Sequence, residues 1–194
     1  MEQFYLEKPS MEKKDEIIAF LDEFKSYKSD INGAGGLEKI YSDSSFFETL
    51  DLCLSLEIDD YAQQLGWCPG KTRLLIRESD KKIIGVINIR WNLTAEMKQY
   101  AGHIGYSIRP TERRKGYNKI NLYLGLIEAK KLGLDQVILG CAKTNIGSDK
   151  TIQALGGVLE KDNETTNVYT INVDDSIVKY KDIYEPYIKK GRCK

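Results

Sequence analysis

The sequence predicts a single α/β domain whose mixed, mostly antiparallel central sheet is flanked by helices. Segments with apolar residues at helical spacing alternate along the chain with short β-branched runs. Two pairs of those runs are joined by short polar stretches, the pattern of antiparallel hairpins. The 194 residues suit one domain with a substantial core, and no repeat, Pro/Ser-rich linker or low-complexity block divides them.

The elements follow in order. Gln3 to Lys8 reads as a first strand stopped by Pro9, and Ser10 precedes a helix whose Ile17, Phe20, Leu21 and Phe24 share one face. Asp30 to Gly36 holds Gly33, Gly35 and Gly36 and reads as a connector, with a loop beside a binding site as the weaker alternative. Ser45 with Glu48 three residues later makes a capping-box pattern for a helix that runs to just before Trp67. Thr72 to Glu78 and Lys82 to Trp91 form a hairpin across Ser79-Asp80-Lys81. The second strand is apolar almost throughout, as expected when both faces are covered, and Asn88 within it needs a partner, either buried backbone or, as the weaker alternative, a ligand.

The next strand, Ala101 to Ile108, places His103, Gly105 and Ser107 on one face and Ile104, Tyr106 and Ile108 on the other. Gly105 lets a backbone or a ligand approach the sheet. A helix over Tyr117 to Leu132 ends at Gly133, and a strand spans Leu134 to Ala142. Asn145 caps a helix ending at Leu155, and Val158 to Lys161 with Asn167 to Val173 close the sheet. Residues 1–173 form the body. Residues 174–194 form a tail that either docks through Ile177, Tyr180 and Tyr184 or partly frays.

Composition removes several classes of function. Lys plus Arg number 29 and Asp plus Glu number 29, so no charge imbalance points to nucleic acid or an anionic membrane. Every apolar run is far shorter than a membrane span, and the N-terminus lacks a signal-peptide layout, which predicts a cytoplasmic protein. Cys53, Cys68, Cys141 and Cys193 are scattered without ligand spacing around a lone histidine, so no metal site is expected and the thiols read as reduced and structural. A nucleophilic role for Cys141 is the minor alternative.

The chemistry concentrates between a strand and a helix. Arg113, Arg114, Lys115 and Gly116 lie just before the helix that opens at Tyr117. A helix start presents backbone N–H groups without intrahelical partners together with the positive end of the peptide dipoles. Gly116 lets an anion approach the backbone, and the three cations surround it. The ligand this arrangement predicts is a pyrophosphate.

The run Arg113-Arg114-Lys115-Gly116-Tyr117-Asn118, after a strand ending in Arg109-Pro110, is similar to the Arg/Gln-x-x-Gly-x-Gly/Ala loop of GNAT acetyltransferases. The resemblance continues through Asn145, Ser148 and Gly156-Gly157 and covers roughly residues 70–160. It implies a GNAT-like domain with splayed central strands and acetyl-coenzyme A as cosubstrate. The pyrophosphate would lie on residues 113–118, Asn145 would touch the cofactor, and the pantetheine arm would bond to exposed backbone near Ile108. Asn118 replaces the usual Gly or Ala and would add a donor. Ile152 stands where many members carry a tyrosine acid.

The implied reaction is direct acetyl transfer to a primary amine in a ternary complex. His103 is the candidate base because it is the lone histidine and lies beside the expected thioester, and Tyr106 is a weaker candidate acid on the opposite face. The alternative is a non-catalytic acyl-coenzyme A sensor or interaction module. Acceptor and oligomeric state are not specified by the sequence.

Overall fold

The structure is a computed structural model that describes residues 1–41 and 45–191. Cys193 lies outside the described residues. The chain opens with β1 (Phe4–Glu7), a single 3-10 turn and α1 (Lys14–Ser26). The four apolar residues placed on one face by their spacing, Ile17, Phe20, Leu21 and Phe24, are the buried residues of α1.

Downstream of the glycine loop, α2 (Phe46–Ser55) carries the full capping box: the Ser45 hydroxyl accepts from the Glu48 amide while the Glu48 carboxylate accepts from the Ser45 amide. The single helix expected to run toward Trp67 is instead two, because α3 (Asp59–Gln64) restarts after a break at Leu56 to Ile58. Tertiary bonds hold that break. Gly70 N donates to Leu56 O at 2.9 Å, and Asp59 accepts from Trp91 Nε1 at 2.8 Å.

The hairpin β2 (Gly70–Arg77) and β3 (Ile83–Arg90) follows, with β3 buried along all but its last residue. Asn88 finds its partner inside the protein, donating to Thr72 Oγ1 at 3.0 Å. A short α4 (Ala95–Tyr100), which the sequence pattern did not reveal, precedes β4 (Ile104–Ile108). Then come α5 (Tyr117–Lys131), β5 (Gln136–Ala142), α6 (Ile146–Ala154), β6 (Val158–Asp162), β7 (Thr166–Asn172) and α7 (Val173–Tyr184).

The strands form two antiparallel sheets, β1-β2-β3-β4 and β5-β7-β6, which diverge between β4 and β5. One large apolar cluster packs the divergent sheets around α5, and a second lies under α1 and α2. Gly125 lets α5 lie directly on the sheet, since a Cβ there would fall 2.3 Å from Ile87 Cδ1. The described part of the tail docks: Tyr123 Oη donates to Ile177 O at 3.2 Å, Ser176 Oγ to Leu155 O at 2.7 Å, and Tyr184 is buried. Among the described residues no helix is long and apolar enough to cross a membrane.

Candidate active site

The divergence of β4 from β5 creates the site, and the backbone register says which groups face it. Arg90 N donates to His103 O at 2.7 Å and Arg109 N to Ile84 O at 2.9 Å. In an antiparallel ladder this commits the odd-numbered residues of β4 to β3. The N–H and C=O groups of Ile104, Tyr106 and Ile108 therefore point to the opposite edge, toward β5, with no strand against them.

A cavity of about 310 Å³ occupies the gap. Ile104, Gly105 and Tyr106 line one wall and Leu139, Gly140 and Cys141 the other. The glycine loop forms part of the rim, so its reading as a plain connector is corrected. Asn32 N donates to Ser107 Oγ at 2.7 Å, and a Cβ on Gly33, whose φ is +76°, would lie 2.1 Å from Gly105 O. The close backbone approach that Gly105 permits is thus that of Gly33.

His103, the candidate base, is not among the residues that line the cavity. It pins the apex where the sheets meet: His103 N donates to Ile138 O at 2.7 Å, and Ile138 N donates to His103 Nδ1 at 2.9 Å. The lone pair that proton abstraction would need is used by that amide, the ring is absent from the cavity lining, and burial followed by the charges of Arg90 and Lys98 lowers the pKa to about 4. Because the folded-state value lies below the ordinary 6.5, the stability contributed is complete above about pH 6.5 and is lost as pH falls toward 4. Thermal or urea unfolding should register this as a loss on the order of 2 kcal/mol between those pH values. His103→Ala should flatten that slope, and an unchanged slope would refute the assignment.

Tyr106 does reach the cavity, and there it meets a second hydroxyl, that of Ser148. Tyr106 Oη lies 2.8 Å from Ser148 Oγ, and both residues line the cavity. Burial raises the tyrosine above its ordinary pKa, so it stays a neutral hydroxyl. Ser148 was legible only as part of the Asn145-x-x-Ser148 run. Asn145 Oδ1 accepts from Ser148 N at 3.1 Å, the N-cap that fixes the first turn of α6, while Asn145 also lines the cavity. Cys141 is buried and its pKa is raised, chiefly by burial, which keeps it a thiol and argues against the nucleophilic alternative.

At the other end of β4 the candidate phosphate loop, residues 113–118, divides into anchors and open groups. The turn Pro110–Glu112 buries the Glu112 carboxylate, which bonds Arg77 at 3.1 Å, Lys82 at 2.9 Å and Lys115 at 2.8 Å. Arg113 donates to Ile108 O at 3.0 Å and to Ser29 Oγ at 2.7 Å. Arg113 and Lys115 are therefore braces of the loop rather than freely offered cations. Ile108 keeps its N–H for the gap, but its carbonyl is taken.

The Asn118 amide nitrogen donates to Thr151 Oγ1 of α6 at 3.4 Å, which commits one of its two hydrogens. The half-buried Tyr117 packs its ring on Phe4 with centroids 4.8 Å apart. Open to an anion are exposed Arg114, Gly116 and the first-turn amides of α5. Gly116 adopts φ +83° with nothing within 4 Å of a would-be Cβ, and no acidic residue occupies that turn. These residues fit a pyrophosphate, with the gap beside β4 leading from it to the Tyr106–Ser148 pair. Among the described residues no cluster suited to a metal ion occurs.

Comparison with known proteins agrees with this geometry. A family model described as "Acetyltransferase (GNAT) domain" matches residues 40–158, more than half of the chain. Of the solved structures, the ribosomal L7/L12 α-N-protein acetyltransferase RimL in complex with coenzyme A superimposes with a TM-score of 0.61 at 16% identity, covering 89% of this chain and 95% of that one. The ribosomal-protein-S5-alanine acetyltransferase of Vibrio fischeri gives 0.62 at 17%, covering 90% and 96%. A nucleotide-linked sugar GNAT, FdhC in its apo form, gives 0.63 at 13% identity, covering 96% of both chains. These three likenesses concern the fold. No curated protein sequence matches. The chain belongs to the GNAT acetyltransferase family and is an acyltransferase dependent on acetyl-coenzyme A.

Proposed function

We propose that the protein acetylates the α-amine of a peptide or protein, by direct transfer between two reactants held together in the gap between β4 and β5. The observation that carries this reading is the alignment, along a single unpaired strand edge, of an anion-ready helix start and a hydroxyl pair. The outward N–H groups of β4 are placed to stabilise the oxyanion that forms when an amine attacks a thioester carbonyl. A nitrogen–carbon bond forms, the carbon–sulfur bond breaks, and the proton shed by nitrogen ends on sulfur. The Tyr106–Ser148 pair is placed to hydrogen-bond that sulfur and pass the proton.

Neither a carboxylate nor the histidine lines the cavity among the described residues. An acceptor must then supply a sizeable neutral fraction itself. An α-amine, with a reference pKa of roughly 7.7–8.0, does so near neutrality, whereas a lysine amine near about 10.4 does not. Two of the structural neighbours, by their descriptions an α-N-protein and a ribosomal-protein-alanine acetyltransferase, support the same choice.

The test is release of coenzyme A from acetyl-coenzyme A on adding peptides with free or blocked N-termini. Release with free termini only is expected, and equal activity on blocked peptides containing lysine would refute the α-amine assignment. Cofactor placement has its own check. Gly116→Asp puts a carboxylate where the anion should sit, in a conformation side chains rarely adopt, and should weaken acetyl-coenzyme A binding at least ~10-fold in calorimetry while costing only about 1–2 kcal/mol of stability.

A further inference from the structure

Arg90 is the one charged residue among the described residues that line the cavity, and the lining contains no Asp or Glu. It ends β3 and pairs in register beside the start of β4, since Ile89 faces Ile104. The phosphate loop lies beyond Ile108 at the far end of β4, a separation of roughly 13 Å at about 3.3 Å per strand residue. Arg90 therefore stands on the acceptor side of the reacting centre, away from the cofactor phosphates. Its guanidinium lies over Gly105, with Nη2 at 3.5 Å from where a Cβ would be.

The other partly or fully buried arginines among the described residues all have a carboxylate: Arg73 has Glu57, Arg77 has Asp80 and Glu112, and Arg109 has Glu23. Arg90 has a carbonyl, donating from Nε to Gly102 O at 3.1 Å. A guanidinium drawn out of water without an anion is costly, and its planar fork suits a carboxylate that brings the missing charge. The desolvation shows in the direction of its own pKa, which is lowered by burial, and its field, with that of Lys98, contributes to holding His103 low. The same field disfavours the ammonium form of an incoming amine.

We infer that Arg90 binds a carboxylate of the acceptor, so that the substrate class is a peptide α-amine with an acidic residue at or next to its N-terminus. This rests on the α-amine reading above and adds the residue that selects among such amines. A cavity of about 310 Å³ has room for the thioester end of the cofactor and a residue-sized insertion, in keeping with a peptide terminus entering end-on. Polyamines and aminoglycosides, which carry several positive charges, meet a cation and no counter-charge there.

The test is a set of peptides identical except for Asp or Glu, Asn or Gln, or Lys at the first two positions. Coenzyme A release is measured alongside calorimetric binding to the protein saturated with acetyl-coenzyme A. Acidic peptides should exceed their amide counterparts by roughly 10- to 100-fold in kcat/KM. Arg90→Gln should bring that ratio close to one with acetyl-coenzyme A affinity unchanged, and Arg90→Glu should turn the preference toward Lys peptides. Equal use of acidic and amide peptides by the wild-type protein overturns the inference whether or not the variants fold. So does an Arg90→Gln loss shared equally by all peptides. Free aspartate or phosphoethanolamine outcompeting every acidic peptide would overturn the peptide class. Preferential binding of acidic peptides without turnover would leave Arg90's role standing and refute the catalytic reading instead.

Discussion

Replacing Ser148 by alanine should lower kcat by roughly 10²- to 10³-fold while leaving the acetyl-coenzyme A dissociation constant essentially unchanged. The serine hydroxyl faces the cavity and touches Tyr106 Oη at 2.8 Å, whereas the backbone amide of Ser148, not its side chain, receives the Asn145 cap. Removing the hydroxyl thus deletes the group proposed to meet the departing sulfur and keeps the α6 cap intact. On the same proposal Tyr106→Phe should cost less, about 10-fold, because the serine hydroxyl remains and only its proposed relay partner is lost. Single-turnover and steady-state rates on the two variants, with calorimetry of acetyl-coenzyme A, separate chemistry from binding. Full kcat in Ser148→Ala would remove the pair from the mechanism.

Glu112→Gln should be the most destabilising exchange near the cofactor site, by about 2–3 kcal/mol at neutral pH. The carboxylate is 4% exposed and gathers Arg77, Lys82 and Lys115, three cations that would otherwise crowd one another. Burial pushes its pKa up, but the hydrogen bonds from Lys115, Lys82 and Arg77 outweigh that and hold it at about 2. With the folded-state value below the ordinary carboxylate value of 4.5, the stability is fully present above that pH and is lost as pH falls toward 2. The acid limb of a urea-stability profile between pH 4.5 and 2 should therefore flatten in Glu112→Gln, apart from the His103 limb at higher pH. Acetyl-coenzyme A affinity should fall too, since the 3-10 turn ending at Glu112 and the Lys115 contact aim the loop at the start of α5. An unaltered acid limb would mean that the triple ion cluster contributes nothing to the fold.

The sequence determined the local structure, including the strand-to-helix turn at residues 113–118. The α1 stripe, the Ser45–Glu48 box, the β2–β3 hairpin and the Gly116 helix start are each specified by residues within one or two turns of each other, which is the range that periodicity, capping and glycine conformation cover. Tertiary structure alone decided what the single histidine and the loop cations do. His103 answers to Ile138, 35 residues on, and Arg113 to Ser29, 84 residues back, and no local rule anticipates which backbone will compete for a lone pair or a guanidinium. The same distance hid the Tyr106–Ser148 pair and the break between α2 and α3, which tertiary bonds across residues 56–91 hold in place. Arg90 ended an otherwise apolar strand and gave no signal by itself. Only the separation of β4 from β5 turned the end of that strand into the wall of a cavity and left its charge with a carbonyl in place of a carboxylate.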